Sequence, residues 1–234
     1  MDFVFDPSLV LYLPLWKLDG ASFVSKDACG HSCTVTGALW RPNGYYLDGD
    51  DYITLPLVVT SAMWQQTADF TIAFVAKTTA FTTTKQVVVS LGQNVEDWSY
   101  AHIGFRAVSY SALQKFRLTI TVRDSDNKAD DRWMTDNDTN LVNNTFYHCA
   151  VTCSGGTLAF YINGSSVGIV NDVVGDITGT LDNTKTLIGA RSSGSPEGWD
   201  SHLTGFTKEV WIYSRALTPL EIQHNYLSTK WRYR

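Results

Sequence analysis

Two neighbouring runs of β-branched and aromatic residues near the middle of the chain have the pattern of a β-hairpin. Phe146–Cys153 and Thr157–Ile162 are separated by Ser154-Gly155-Gly156, a sequence typical of tight turns. Successive side chains of a strand point to opposite sides, so odd and even positions of each run face different ways. Asn163-Gly164 predicts a second tight turn, because both residues tolerate a positive φ. Two consecutive hairpins indicate an antiparallel meander.

Further short apolar segments recur along the chain at the spacing of an all-β sandwich. They are Leu9–Trp16, Cys33–Gly37, Tyr45–Leu55, Phe70–Thr78, Gln86–Gly92, His102–Ser109, Lys115–Asp124, Thr186–Arg191 and Gly205–Arg215. Pro14 predicts that the first segment is an edge strand or contains a bulge. Asp48-Gly49-Asp50-Asp51 interrupts the third segment as a hairpin turn or a bulge. No Pro/Gly-rich linker divides the chain, so residues 1–234 are predicted to form a single domain.

One helix is predicted, close to the C-terminus. Thr218-Pro219-Leu220-Glu221 has the form of a capping box, with proline at the first helical position. A short apolar face follows it, formed by Leu220, Ile222, Tyr226 and Leu227. The basic end of the chain, LSTKWRYR, is predicted to be a surface tail.

Composition and charge exclude several classes of protein. Hydrophobic residues make up 44% and charged residues 18% of the chain, which favours a sizeable core over disorder. The net charge of −5 and the absence of a Lys/Arg-rich run argue against a nucleic-acid partner. No window approaches the roughly 20 apolar residues that span a bilayer. The N-terminus carries acids and lacks a signal-peptide cleavage site, so either the chain is used without classical secretion or its start has been trimmed.

The four cysteines form two pairs with different expectations. Cys149 and Cys153 lie four residues apart on one strand, roughly 13 Å, so they neither bond to each other nor share a zinc ion and are predicted to be core thiols. Cys29 and Cys33 lie in a loop, and the sequence allows either a small-ring disulfide between them or two free thiols.

Five segments, in sequence order, resemble the laminin-G-like branch of the concanavalin A-like lectin/glucanase superfamily. They are Ser25–Ala38, Tyr45–Pro56, Asp69–Lys77, Phe146–Gly168 and Gly205–Ile222. The resemblance covers nearly the whole chain. It implies an all-β jelly roll, a sandwich of two curved antiparallel sheets, used mainly to bind carbohydrate or protein. Members of the family often bind a calcium ion.

The resemblance also implies which residues would hold calcium. Asp27 and Glu209 stand where family members have possible calcium ligands, and main-chain carbonyls would supply the remaining oxygens. This chain departs from the family in both places: Lys208-Glu209 replaces a pair of aspartates, and Asp27-Ala28-Cys29-Gly30 replaces Asp-x-Ser-Gly. The alternative is that Glu209 is a solvated strand residue and Asp27 a turn former.

The sequence favours a non-catalytic protein. A glycosidase needs two suitably spaced carboxyl groups, and the superfamily's glucanases carry them as Glu-x-Asp-x-x-Glu. None of the four glutamates begins that pattern, and no Gly-x-Ser-x-Gly sequence is present. The histidines lack metal-binding spacing, and His148 is predicted to be structural. A glycoside hydrolase or polysaccharide lyase of the same superfamily remains an alternative.

Three loops combine an aromatic ring with an acid, the pairing that sugar sites use for stacking and for bonding to hydroxyl groups. The predicted ligand-binding residues are Asp97, Trp98, Tyr100, Asp131, Trp133, Trp199 and Asp200. The loops of a sandwich gather at its ends, so these residues are expected to converge. The alternative is that the tryptophans plug the ends as core. Trp16, Trp40, Trp64 and Trp211 lie in or beside strand patterns and are predicted to be core.

These observations predict a lectin-like adhesion module, extracellular or on a virion surface, that recognises glycan through its end loops. A second hypothesis is a viral decoration or fibre protein working by protein–protein contacts. Such a shell or fibre component would contact cell-surface or virion proteins and would assemble into a homo-oligomer.

Overall fold

Seventeen strands and one α-helix form the described part of the chain. A computed structural model describes residues 6–55, 69–80, 85–91, 101–107, 115–123, 129–133, 141–171, 186–191 and 201–233. The elements, in chain order, are β1 (Leu9–Leu13), β2 (Ser22–Val24), β3 (Ser32–Thr36), β4 (Leu39–Arg41), β5 (Gly44–Asp48), β6 (Tyr52–Leu55), β7 (Phe70–Thr78), β8 (Lys85–Leu91), β9 (Ala101–Ala107), β10 (Lys115–Arg123), β11 (Ala129–Trp133), β12 (Leu141–Val142), β13 (Tyr147–Ser154), β14 (Thr157–Ile162), β15 (Ser165–Val170), β16 (Thr186–Ile188), β17 (Thr204–Tyr213) and α1 (Pro219–Thr229).

The strands form two antiparallel sheets. The first sheet has the order β15-β14-β13-β7-β17-β5-β4, with β1 also paired to β17. The long strand β17 serves two neighbours on the same edge, because β5 pairs with Thr204–Thr207 and β1 pairs with Val210–Tyr213. The second sheet has the order β11-β10-β9-β8-β16-β6-β3-β2, with β12 also paired to β10. The predicted two-sheet all-β sandwich is confirmed.

The main core lies between the two sheets. The alternation in β7 and β13 sorts their residues as predicted, since Phe74 and Val151 point into this core, whereas Val75 and Ala150 point to the outer face of the first sheet. Phe74 meets Phe105 of the second sheet edge to face, with ring centroids 5.8 Å apart. Burial of these apolar side chains provides the main stabilisation of the sandwich.

The interrupted segment at residues 48–51 is neither a hairpin nor a bulge. It carries the chain from β5 in the first sheet to β6 in the second. The Asp51 carboxylate accepts a hydrogen bond from the Asp48 backbone N–H at 3.0 Å and so fixes the crossing. Because β5 and β6 lie in different sheets, their apolar residues approach the same core from opposite sides.

The C-terminal helix covers part of the outer face of the first sheet. Its capping box is present, with the Thr218 hydroxyl accepting from the Glu221 N–H and the Glu221 carboxylate accepting from the Thr218 N–H. Ile222 is fully buried, in a second apolar cluster with Trp211 of β17. Within the described residues, no helix is long and apolar enough to span a membrane.

The end of the chain is a docked 3-10 turn, Lys230–Tyr233, which corrects the prediction of a surface tail. Its Arg232 guanidinium lies 2.6 Å from the fully buried carboxylate of Glu209. The Arg232 carbonyl also accepts a hydrogen bond from the Lys208 ammonium. The Arg232 cation stabilises the buried Glu209 carboxylate, and this ion pair holds the basic C-terminal segment on the sheet.

All four cysteines are free thiols. Cys33 is buried in the main core and Cys29 is exposed, so the loop disulfide left open by the sequence is not formed. Burial raises the pKa of Cys33 to about 12, which keeps that thiol protonated. Cys149 is also a core thiol, as predicted, and Cys153 packs against the same core.

His148 is fully buried between the rings of Trp211 and Tyr226, whose centroids each lie 5.8 Å from its own. Neither ring nitrogen has a hydrogen-bond partner among the described residues. Burial lowers the pKa of His148 to about 4, so the side chain is neutral at physiological pH. These contacts agree with the structural role that the sequence predicted.

Candidate functional site

The residues predicted to bind ligand fall mostly outside the described residues. Asp97, Trp98, Tyr100, Trp199 and Asp200 belong to this group. Their convergence at one end of the sandwich therefore stays a prediction.

Asp131 and Trp133 lie in β11, an edge strand of the second sheet, and not in a loop as predicted. Their backbones pair with Thr121 and Thr119 of β10. The polar and acidic composition of this stretch suggested a loop, but edge strands commonly carry charged residues that block pairing with other chains.

Asp27, the first predicted calcium ligand, organises the loop between β2 and β3. One carboxylate oxygen accepts from the backbone N–H groups of Cys29 and Gly30, at 3.0 and 3.1 Å. The other accepts from the backbone N–H of Tyr12 in β1, at 3.0 Å. Asp27 therefore acts as a turn former that also joins the loop to the first sheet.

Glu209, the second predicted calcium ligand, lies beside a bulge in β17 and is fully buried. Its Oε1 accepts from Trp16 Nε1 and from Arg232 Nη1, both at 2.6 Å, while Oε2 has no hydrogen-bond partner among the described residues. Burial raises the pKa of Glu209, and the charge of Arg232 opposes that rise. Glu209 is therefore not the solvated strand residue of the sequence alternative.

The two carboxylates differ from an open calcium site. Calcium requires six to eight oxygen ligands, several of them uncommitted carboxylates. Here a guanidinium already neutralises Glu209, and three backbone N–H groups leave only about one lone-pair site of Asp27 free. This arrangement does not fit a calcium ion bridging the two residues. Calcium binding by this chain therefore stays a prediction.

A cleft of about 300 Å³ lies where the edges of the two sheets meet. The strand β4 ends the first sheet and β2 ends the second, and the segments around both strands contribute to the walls. The lining residues are Asp19, Gly20, Ala21, Val35, Gly37, Ala38, Leu39, Trp40 and Tyr45. We call this feature the edge cleft.

Three side chains give the edge cleft its chemistry. The half-buried indole of Trp40 is held by a hydrogen bond from its Nε1 to the Leu15 carbonyl, at 3.1 Å. Tyr45 is buried, and its hydroxyl donates to the Gly20 carbonyl at 2.7 Å. Burial, with a smaller contribution from the Asp19 carboxylate, raises the pKa of Tyr45 to about 12 and keeps the phenol neutral. The exposed Asp19 supplies an acceptor at the mouth.

Several small residues belong to the lining of the edge cleft, and Gly37 is the most constrained of them. Its φ of +76° lies in the left-handed region, and a Cβ atom there would be 1.8 Å from the buried Asp51 carboxylate. Gly37 thus allows the crossing between β5 and β6 to pack directly behind the cleft.

Sequence reasoning missed the edge cleft because it placed Trp40 in the core. Trp40 packs partly against the core, but its strand β4 is only three residues long and ends the first sheet. A signal was available, since Arg41-Pro42-Asn43-Gly44 is a turn sequence and a large aromatic beside a turn at a sheet edge is only partly covered. Trp211, in contrast, is buried as predicted.

Comparison with known proteins agrees with this architecture. A laminin G family model, described as concanavalin A-like lectin/glucanases superfamily, matches residues 47–223, more than half of the chain. A comparison with curated proteins finds no match.

Solved structures with the same fold include parts of larger proteins. A Trypanosoma rangeli sialidase in complex with sialic acid has a TM-score of 0.67 and 15% identity, over 98% of this chain and 34% of that chain. The receptor binding domain of botulinum neurotoxin C/D mosaic serotype has a TM-score of 0.67 and 13% identity, over 94% of this chain and 51% of that chain. The chain spans about a third of the sialidase and half of the toxin domain. At these identities the likeness shows the fold alone.

Proposed function

Because the chain belongs to the concanavalin A-like lectin/glucanase superfamily, we propose that it is a non-catalytic module that binds carbohydrate. The observation that carries the proposal is the edge cleft, with the Trp40 indole and the Asp19 carboxylate in its lining. An aromatic ring stacks on the apolar face of a sugar, and a carboxylate accepts hydrogen bonds from its hydroxyl groups.

The size and lining of the edge cleft suit a small part of a glycan. Its volume of about 300 Å³ is at the lower end of the range for small-molecule sites. The lining includes small residues such as Gly37 and Ala38, which leave main-chain groups close to any ligand that enters. The cleft would therefore accept one or two sugar rings of a longer chain. Asp97, Trp98, Tyr100, Asp131, Trp133, Trp199 and Asp200 stay candidates for a second site.

The similar solved structures support the proposal by analogy. One of them is a sialidase carrying sialic acid, and another is named as the receptor binding domain of a toxin. The first name is that of an enzyme bound to a sugar, and the second is that of a receptor binding domain. Since the identities are only 15% and 13%, neither name assigns a sugar to this chain.

The environments of two glutamates support a non-catalytic role. Glu209 is fully buried against Arg232, where no substrate reaches it. Glu221 caps α1 and pairs with Arg215, whose hydrogen bonds hold the pKa of Glu221 at about 2. A carboxyl group with so low a pKa is ionised at neutral pH and does not act as a general acid there.

A glycan array tests the proposal. We expect the native chain to bind at least one glycan class and the Trp40→Ala and Asp19→Asn variants to lose most of that binding. Trp231→Ala is the matched control, because it removes an indole that is 65% exposed on the C-terminal 3-10 turn. Unchanged circular dichroism would show that the cleft variants are folded. Native protein that binds no glycan would contradict the proposal.

A second comparison separates the edge cleft from the end loops. If the triple variant Trp98→Ala, Trp133→Ala and Trp199→Ala loses binding while Trp40→Ala retains it, sugar binds at the loops and not in the cleft. Release of reducing sugar from a polysaccharide panel by the native chain would instead establish the hydrolase alternative.

A further inference from the structure

The loop between β2 and β3 brings together three side chains of different metal-binding chemistry. Asp27, Cys29 and His31 each offer one ligand atom, and these atoms all lie within 4.8 Å of one another. Ligands around one tetrahedral zinc ion, at bond lengths of 2.0–2.3 Å, lie about 3.5 Å apart. The three side chains are thus close enough to share a metal ion once they adjust.

Hydrogen bonds hold this loop in place. The Asp27 carboxylate bonds to the backbone N–H groups of Cys29 and Gly30, and the Ser25 hydroxyl accepts from the His31 N–H at 2.7 Å. Gly30 has a φ of +66°, which lets the chain turn tightly between the cysteine and the histidine. A site held in this way loses little conformational entropy when an ion binds.

One ring nitrogen of His31 is free to bind a metal ion. Its Nε2 lies 2.9 Å from the Val10 carbonyl, and a carbonyl only accepts, so Nε2 carries the proton. In the neutral ring Nδ1 then has the free lone pair, whereas Nε2 is the nitrogen that lies 3.8 Å from Asp27 Oδ1, so metal binding through Nδ1 requires the ring to shift. Donation from the second ring nitrogen to a backbone carbonyl is the usual support for a histidine bound to a metal.

Cys29 and Asp27 complete the donor set. Cys29 is the exposed cysteine, so an ion reaches its sulfur directly from solvent. Asp27 accepts two hydrogen bonds at Oδ1 and one at Oδ2, which leaves about one of the four lone-pair sites of the carboxylate, on Oδ2. A thiolate, an imidazole and a carboxylate together favour zinc, whereas calcium takes oxygen ligands.

We propose that Asp27, Cys29 and His31 bind one zinc ion, with water in the fourth position. The site is independent of the carbohydrate proposal, because the edge cleft lies at the opposite end of the β2–β3 hairpin, beside Asp19–Ala21 and Gly37. The Asp27 bond to Tyr12 and the His31 bond to Val10 already join this loop to β1, so a bound ion would be anchored to the first sheet.

Titration of the reduced, metal-free chain with zinc and cobalt tests the site. We expect one zinc ion per chain, a raised melting temperature with zinc, and a thiolate-to-cobalt charge-transfer band with cobalt. Cys29→Ser should lower zinc affinity by about tenfold or more and abolish the band. Because Cys29 is exposed, this variant should fold normally. Cys153→Ser, which changes a half-buried thiol on β13, is the matched control and should leave both readouts unchanged.

His31→Gln is a second variant, and it should lower zinc affinity while leaving a folded circular dichroism spectrum. The proposal is overturned if the native chain gives no cobalt–thiolate band, or if Cys29→Ser binds zinc as tightly as the native chain. A band lost in Cys153→Ser and kept in Cys29→Ser would also overturn it, because another thiol would then be the ligand.

Discussion

The Arg232 guanidinium lies 2.6 Å from the Glu209 carboxylate and ties the last turn of the chain to the middle of the first sheet. Glu209 is fully buried, whereas the Arg232 side chain is 17% exposed. Trp16 adds to the pair, because its Nε1 donates to the same Glu209 oxygen and its ring lies 5.2 Å from the guanidinium carbon. Three segments far apart in sequence thus meet at one buried charge.

Arg232→Gln should destabilise the protein by about 3 kcal/mol, because it leaves a buried carboxylate without its cation. Urea unfolding followed by tryptophan fluorescence measures this change. The double variant Glu209→Gln with Arg232→Gln should recover much of the loss, since it removes both charges together. A change below about 0.5 kcal/mol for Arg232→Gln would show that the pair contributes no more than an exposed ion pair does.

His148→Leu should flatten the acid side of the stability profile. The pKa of His148 falls from 6.5 in the unfolded chain to about 4 in the folded protein, so the unfolded state takes up a proton first as the pH drops. The native protein therefore loses stability progressively between pH 6.5 and 4, by about 3 kcal/mol in total.

The Leu variant removes that titration, and it buries no nitrogen without a partner. Urea midpoints measured across the pH range, with His224→Gln as the exposed control on α1, test the prediction. An equally steep acid loss in His148→Leu would mean that other groups cause it.

The strands of this fold could be predicted from sequence because their alternation is strong and their turns are explicit. The hairpin of β13 and β14 follows from its face pattern, and its turns have positive φ at Gly155, Gly156, Asn163 and Gly164. Which sheet a strand joins could not be predicted, as the crossing between β5 and β6 shows. The alternation of a strand reports which face is buried, but it does not report the neighbouring strand.

The site was harder to predict than the fold, for a physical reason. Sequence reasoning assigned Asp27 and Glu209 to one ion, but each carboxylate has its own protein partners. The partner of Glu209 is Arg232, 23 residues further along the chain, and such a pairing has no local sequence signal. Trp40 was assigned to the core because it lies in a strand pattern, although the edge position of β4 leaves it half-buried.

Gly37→Ala should destabilise the protein by about 2 kcal/mol or more, and it should weaken glycan binding in the edge cleft. The new Cβ combines a strained φ with a clash against Asp51, whose displacement would disturb the cleft wall. Gly155→Ala is a matched control, because its φ of +52° is also positive but a Cβ there meets nothing within 4 Å. Equal losses of stability in the two variants, measured by urea unfolding, would show that the Asp51 contact has no effect.

Thr218→Ala should cost about 1 kcal/mol through loss of the helix cap. The Glu221 carboxylate contributes a pH-dependent part, because hydrogen bonds from Arg215 and Thr218 lower its pKa from 4.5 to about 2. That contribution is complete above pH 4.5 and is lost as the pH falls from 4.5 towards 2. Thermal unfolding of Glu221→Gln and the native chain at pH 7 and pH 2.5 tests this, since the two should differ less at the lower pH.

Glycan binding should persist when calcium is removed. The resemblance to calcium-binding relatives predicted an ion at Asp27 and Glu209, but Arg232 already supplies a positive charge at Glu209 and backbone N–H groups already bond to Asp27. Binding to an array-selected glycan, measured before and after a chelator, tests this expectation. Because a chelator also removes zinc, calcium and zinc should be added back separately. Binding that is lost with the chelator and restored by calcium alone would show that calcium ligands exist elsewhere in the chain and that the internal cation does not replace them.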